Sequence, residues 1–497
     1  MKDMKKIFLT IILLCAVIFP ACSQNGGGAD KGDTVTERRD DTETAETVTE
    51  KEMPDLPGSA DFGGADFNVL LSSNWASSDR LITFPYIVSK ELTGEVVNDA
   101  VYMRNVSVSE KYGVNITETD FTGQSSWGTG IGYQTLKKGV LAGDDYYDAA
   151  FVATYDVCNL AAEGFLNDLL GVPYINLDKK WWDSRTKRDL LIGDKMYFTN
   201  GDINILNNEC TFCILFNKKL INDYNMDSPY ELVKDSKWTL DKFAEMIKGV
   251  SADLNGDGRM DSSDKYGLLV WQDSAFGVNV GAGGKIATVT DGKIELSLYN
   301  ERSVIVYEKY LDFLKDKTTV FNINTNTCDE ISMFANDQAL FHTRYIATVK
   351  LLRNMETDFG ILPYPKFDEG QKSYYSNIHG YGDAFVCVPK TAGDLEKSGV
   401  ILEALAAESM YNVTPAYYDV TLTGKFFRDE ESRGVLDILF ETRIYDVGLF
   451  YQVGGYTDSL LEMMKNLKND FTSTYEASVS KALVQIDKIN QTFSENN

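Results

Sequence analysis

The sequence predicts an α/β protein of two domains, built on sheets with helices covering both faces. Two observations carry this. Strand-like apolar runs alternate with segments of helical period along most of the chain, as in βαβ units. The region with that pattern spans roughly 435 residues, more than one ordinary core holds. No internal sequence repeat is present.

The chain begins MKDMKKIFLTIILLCAVIFPAC. Lys2, Lys5 and Lys6 form a positive leader, and residues 7–19 are apolar. That stretch is too short for a membrane span and right for a signal peptide over 1–21. Ala21 followed by Cys22 resembles a bacterial lipoprotein signal, with lipid carried on the Cys22 thiol. The expectation is a protein at the extracellular face of the cell membrane, anchored to it and not embedded in it. Residues 22–60 are rich in Gly, Thr and Glu and almost free of large apolar side chains. They cannot bury enough surface to fold and read as a disordered acidic linker.

The body opens with FNVLLSS, a strand ending in a polar turn that holds Asn74 and Trp75. VVNDAVYMRNVSVSEKYG is helical in period, VNITET strand-like, YQTLKKGVLAGD helical, DAAFVAT a strand and YDVCNLAAEG a helix. CTFCILFNKKLIND repeats the strand-then-helix order. SKWTLDKFAEMIKGV is a helix with Thr239 as N-cap, where its hydroxyl accepts an orphan backbone N–H. GLLVW is a strand; DFGILPYPK and AFVCVPK are strands closed by Pro363 and Pro389. LEKSGVILEALAAESMYN, GVLDILFETRIY, TDSLLEMMKNLKNDF and TYEASVSKALVQIDKINQTF are helices. Such alternation implies parallel sheets.

Composition excludes several functions. A formal net charge of −26 repels phosphate backbones, so no nucleic-acid partner is expected. His342 and His379 are the two histidines. That scarcity argues against zinc chemistry and His-based triads, and both read as ordinary polar residues. HExxH, G-x-S-x-G and G-x-x-x-x-G-K-[ST] are absent from the sequence. Beyond Cys15 and Cys22, Cys158, Cys210, Cys213, Cys328 and Cys387 form no disulfide framework. Cys210 and Cys213 have CxxC spacing, but within a strand-like run they read as buried small hydrophobes.

DLNGDGRMDSSD, residues 253–264, fits a twelve-residue calcium loop. Asp253, Asn255, Asp257, Arg259 through its carbonyl, Asp261 and Asp264 stand at the ligand positions, with Gly258 at the sharp turn. Asp264 replaces the usual Glu and reaches one methylene less far. The expected cofactor is a structural Ca²⁺.

Several passages, in this order, resemble bacterial extracellular solute-binding proteins of family 1, the maltose-binding-protein-like lipoproteins of ABC importers. VVNDAVYMRN…EKYGV is similar to that family's first long helix. YDAAFVATYDVCNLAAEGFLNDL is similar to its strand, site loop and helix. FNKKLINDYNMDSPYEL…KWTLDKF and MFANDQALFHTRY…DFGILPYPK resemble two later passages, with Asn336-Asp337 where glycine is common. DLNGDGRMDSSDKYGL is similar to an insertion in some members. The resemblance runs from about Phe62 to the end. It implies a two-lobed periplasmic-binding-protein-like fold of type II, each lobe a doubly wound sheet flanked by helices and joined by a hinge. One lobe would hold 61–205 plus 380–430, the other 206–379 plus 431–497. Ligand would sit between them at the carboxyl ends of strands.

On that pattern the ligand-binding candidates are Asn74, Trp75, Thr154, Tyr155, Asn208, Glu209, Trp271, Gln272, Arg344, Tyr345, Tyr381 and Asp383. Aromatic faces stack on the C–H faces of sugars, and polar side chains hydrogen-bond their hydroxyls. Arg344 suits a carboxylate or hydroxyls, or a salt bridge within its lobe. Trp181 and Trp182 are weaker candidates, and Trp238 reads as helix-entry packing. The expectation is a non-enzymatic monomer that captures a small solute, a carbohydrate, for permease subunits of an ABC importer. A calcium-stabilised secreted glycoside hydrolase is the enzyme rival, since acid pairs abound among 74 carboxylates. An anchored glycan-binding or sensory protein is the third class.

Overall fold

A computed structural model describes residues 51–73, 87–122, 128–326, 328–419, 422, 427 and 429–495. Cys22, Asn74, Trp75 and the signal peptide lie outside the described residues. The chain divides into residues 1–52 and a body over 53–497.

The strands, in chain order, are β1 (Ala65–Ser72), β2 (Val114–Asp120), β3 (Ala149–Ala153), β4 (Phe198–Thr199), β5 (Phe212–Asn217), β6 (Tyr266–Val270), β7 (Ala287–Thr290), β8 (Lys293–Leu296), β9 (Val320–Asn322), β10 (Ala339–Tyr345), β11 (Phe359–Leu362), β12 (Ser376–Asn377), β13 (Ala384–Cys387) and β14 (Arg443–Ile444). Two five-stranded sheets form the lobes, in the orders β2-β1-β3-β13-β4 and β11-β5-β10-β6-β9.

Neither sheet is fully parallel, which corrects the expectation from alternation alone. β1, β2 and β3 run parallel, but β13 joins β3 antiparallel, with Phe385 opposite Val152. In the second sheet β6, β9 and β10 run parallel, while β5 is antiparallel to both β10 and β11. The physical reason is connectivity. β5 and β13 follow the stretches where the chain passes from one sheet to the other, and a strand entering from the far side arrives reversed. β12 and β14 pair beside these crossings.

Local chemistry explains the elements. β3 (AAFVA) and β5 (FCILFN) are buried at every position, as strands covered on both faces must be. Glu95 caps the helix Val96–Tyr112 by accepting the Asn98 N–H at 2.8 Å. Thr239 caps Leu240–Met246 through the Lys242 N–H, as its position predicts. Other boundaries differ from the sequence reading. Cys210 caps the short helix Leu206–Glu209, so the strand starts only at Phe212. The helix Glu430–Glu441 stops before Arg443, which β14 takes up. Residues 53–60 carry no helix or strand, yet Leu56 and Ala60 pack on the core and Asp55 lies 3.5 Å from Lys179. An apolar side chain reappears at Leu56, and its packing with Ala60 holds this part of the compositional linker against the body, while Met53 stays exposed.

The large aromatic core residues settle three tryptophans. Trp238 is fully buried and donates its indole N–H to the Pro363 carbonyl at 2.9 Å. Trp181 and Trp182 are buried too, and both indoles donate to Glu403, at 3.0 and 2.7 Å. Among the described residues no helix is long and apolar enough to cross a membrane.

Candidate functional site

Three strand ends and one crossing segment converge on an aromatic cluster centred on His379. β6 ends at Val270 and delivers Trp271, Gln272 and Asp273. The Trp271 N–H is fixed by the Thr343 hydroxyl of β10 at 3.1 Å. β10 ends in Arg344 and Tyr345. The crossing segment brings His379 and Tyr381, and the His379 N–H donates to the Cys210 carbonyl at 2.8 Å.

Ring centroids lie 5.3 Å apart for both Trp271–His379 and Tyr345–His379, 5.8 Å for Trp271–Tyr345 and 6.3 Å for His379–Tyr381. These are ordinary aromatic-pair separations. The His379 Nε2 is 2.8 Å from a carboxylate oxygen of Asp273. From the first lobe, Tyr155 lies against Gly380, where an added Cβ would stand only 3.1 Å from the phenol oxygen. Glycine there lets the ring approach the backbone. Trp271, Gln272 and Tyr381 are half-buried, leaving ring and amide faces open, while Tyr155 and Tyr345 are buried.

The guanidinium of Arg344 sits 5.1 Å from the Trp271 ring centroid, in cation–π range. It also pairs with Glu330 and donates to His342 Nε2 at 3.1 Å. Burial, and then the Arg344 charge, hold His342 neutral by pushing its pKa well below the usual value. Arg344 is thus both an intralobe salt bridge and a wall of the cluster. Burial, followed by Asp273 and Asp458, raises the Tyr155 pKa well above the phenol range, so Tyr155 stays protonated and able to donate.

Other candidates lie elsewhere. Asp383 is fully buried in a polar network joining the crossings. Its carboxylate accepts from Asn200 at 3.0 Å, Asn207 at 3.2 Å and the Ala384 N–H at 2.8 Å. Asn207 donates to the Tyr445 hydroxyl at 3.0 Å, which donates to Asp183 at 2.7 Å. Arg443 pairs with Asp183 at 3.3 Å and donates to Asn208 at 2.8 Å. Burial pushes the Asp383 carboxyl up to about 7. Burial alone would also raise Asp183, but the Arg443 and Arg185 charges outweigh it and hold its carboxyl low. Glu209 is buried and tied to Lys350 at 2.6 Å. Thr154 opens the helix Thr154–Ala162 directly after β3, with its hydroxyl buried.

Sequence reasoning therefore grouped residues that the structure separates. Tyr155, Trp271, Arg344, Tyr345 and Tyr381 come together; Asn208 and Asp383 belong to the crossing network. It passed over His379 and Asp273. Their positions, two residues from Tyr381 and two from Trp271, were the available pointer.

In the loop 253–264 the aspartates turn onto backbone amides. Asp253 accepts from Gly256 at 2.7 Å and Gly258 at 2.8 Å, and Asp257 from Arg259 at 2.8 Å. Asp264, fully buried, accepts from Leu254 at 2.9 Å and Asp261 at 2.8 Å. Gly256 and Gly258 adopt φ of +72° and +76°, which glycine allows at no steric cost. Among the described residues no group of three or more His, Cys, Asp or Glu side chains converges on a metal position. The donor types still suit calcium, since an oxygen that accepts one N–H keeps a second lone pair.

No family model and no curated protein matches the chain. Solved structures do. The galacto-N-biose/lacto-N-biose I-binding protein of an ABC transporter from Bifidobacterium longum, in complex with lacto-N-biose, is 12% identical with a TM-score of 0.57, covering 87% of this chain and 99% of that one. An ABC transporter solute-binding protein from Thermotoga lettingae, bound with α-D-tagatose, is 14% identical with a TM-score of 0.53, over 86% and 100%. An ABC substrate-binding protein from Listeria monocytogenes, in complex with cycloalternan, is 13% identical with a TM-score of 0.51, over 86% and 99%. The chain thus has the two-lobed periplasmic-binding-protein fold of type II, as its sequence passages imply.

Proposed function

We propose that this protein is an extracellular solute-binding protein that captures a small carbohydrate between its lobes and delivers it to an ABC permease. The observation that supports this most is the half-open aromatic cluster of Trp271, Tyr345, His379 and Tyr381 at the carboxyl ends of β6 and β10, where such sheets take ligands. Neighbours of the same fold are described as ABC transporter proteins with bound sugars. The protein binds without turnover, works as a monomer, and is held at the membrane through a lipid on Cys22. Closure is a hinge motion of the lobes about the crossings. A Ca²⁺ ion in the loop 253–264 pins the connection before β6 and does not touch the solute.

A thermal-shift screen over mono- and oligosaccharides tests the function, because a ligand bound only by the native state raises the midpoint. The expected result is a shift with a saccharide that chromatography recovers intact. Recovery of cleaved fragments would make the hydrolase reading correct instead. Mass spectrometry of the membrane-extracted protein tests the lipid.

A further inference from the structure

Glycine inside a helix lowers stability, so its presence calls for a reason. Gly132, Gly277 and Gly399 have one in the packing. An added Cβ would stand 2.5 Å from the Ser72 side chain, 2.3 Å from the Tyr364 ring and 1.7 Å from the Pro173 carbonyl oxygen, respectively. Gly139, with one side-chain atom at 3.9 Å, stands in the last turn of its helix. Gly434 lies inside the helix Glu430–Glu441, is exposed, and has no positive φ. A Cβ there would meet nothing within 4 Å. It opens onto a groove of about 620 Å³ between its own helix and the helix Pro229–Lys234. The floor is apolar, from Val233, Val435, Ile438 and the Tyr230 ring, whose hydroxyl is taken up by Ser432 at 2.7 Å. The rim carries Glu231, Asp429, Glu430 and Glu431, with Lys234 as the basic side chain among the lining residues. Lys218 holds Asp429 at 2.6 Å, and Glu231 lies 3.7 Å from Lys234. Glu430 and Glu431 are exposed and enter no ion pair with another described residue.

We infer that this groove docks a peptide segment of a partner protein, one whose apolar side chains are flanked by Lys or Arg. None of its lining residues belongs to the cluster around His379, so the inference stands apart from the carbohydrate reading. An apolar trough between two helices takes a peptide by receiving its apolar side chains. The missing Cβ at Gly434 lets that segment lie against the helix backbone, which is the reason for glycine that the fold itself does not supply. The carboxylate rim favours cationic flanks, and a chain of net charge −26 repels acidic ones.

A random peptide library displayed on phage and panned on the protein tests this. The expected result is enrichment of peptides that combine Leu, Ile or aromatic residues with Lys or Arg. Gly434→Trp fills the trough without changing charge and should weaken the enriched peptides about tenfold or more. Glu430→Gln with Glu431→Gln should weaken them about tenfold at low salt, and raised salt should erase that difference. Gly434→Ala should raise the melting temperature by about 1 °C. A fall instead would show that the glycine serves the fold and overturn the inference. Enriched peptides that are acidic, or that bind Gly434→Trp as tightly as the unsubstituted protein, overturn it too, as does enrichment of none. A dimer in sedimentation that Gly434→Trp dissolves would make a second copy the occupant and overturn the partner. Tighter peptide binding after Lys425→Ala with Arg428→Ala would do the same in favour of this chain's own preceding stretch.

Discussion

Residues 378–383 border two clusters built on opposite rules. Around His379 the side chains are aromatic, and Trp271 and Tyr381 keep open faces. Around Asp383 they are polar, buried and joined in a chain through Asn207, Tyr445, Asp183 and Arg443. The first arrangement leaves surface for a partner to cover. The second satisfies its groups internally and fixes where the crossings lie relative to one another. A substitution in the aromatic cluster should cost affinity, and one in the network should cost the fold.

The largest expected effect is on stability. Asp183→Ala strands the buried Arg443 guanidinium and removes an acceptor from Tyr445. Losing one partner of a buried ion pair costs about 3–5 kcal/mol, to be read by urea denaturation. A loss under about 1 kcal/mol would mean the network is not structural.

Next comes affinity. Trp271→Ala should weaken solute binding by about 2 kcal/mol, or about 30-fold, as for central aromatic anchors. Tyr155→Ala should also weaken it, and Arg344→Ala less, because Arg344 already serves Glu330. Calorimetry beside circular dichroism separates lost affinity from lost fold. Unchanged affinity in all three would move the cleft elsewhere.

A subtler contrast is in pH. Burial raises the Asp383 carboxyl to about 7, so the fold favours its neutral form. Its contribution to stability is complete below about pH 4, the unfolded value, and fades as pH rises through about 7. Asp383→Asn should therefore lose less melting temperature between pH 5 and pH 8 than the unsubstituted protein. Parallel curves would show that Asp383 does not titrate there.

The smallest effect concerns calcium. At millimolar calcium and a dissociation constant of about 10⁻⁴–10⁻³ M, binding contributes about 1 kcal/mol. Chelation, or Asp253→Ala with Asp257→Ala, should lower the melting temperature by about 1–3 °C and leave solute affinity unchanged. A large affinity loss in still-folded protein would place the ion at the solute.

The fold was legible because period and order survive where identity does not: the strands at 149–153 and 212–217 announce themselves by the apolar runs AAFVA and FCILF, and the strand at 65–72 by VLL after an alternating start. The Thr239 cap was legible for the same local reason. The reversal of β5 and β13 was not, since strand direction depends on which sheet the chain enters, a long-range fact. The site was half legible. Residues after a strand can be named from the strand, and Tyr155, Trp271 and Arg344, so named, do lie in one cluster. Whether a polar residue in a crossing joins the aromatic cluster or the polar network depends on a rotation that residue type does not reveal, so the sequence could not show that Asp383 lies in the network and His379 among the aromatic rings.

The Glu403 bridge between Trp181 and Trp182 has an optical consequence. Those two indoles, and Trp238 with its N–H on Pro363, are sealed in fixed polar contacts and should emit steadily whatever the cleft holds. Among the described residues, Trp271 is the tryptophan with a half-exposed ring, and it lies beneath a guanidinium and against an imidazole. A solute laid on that ring changes its hydration and its neighbours together. Trp271 is thereby an intrinsic fluorophore for occupancy, read against buried indoles that Glu403 and the Pro363 carbonyl hold apart from the event.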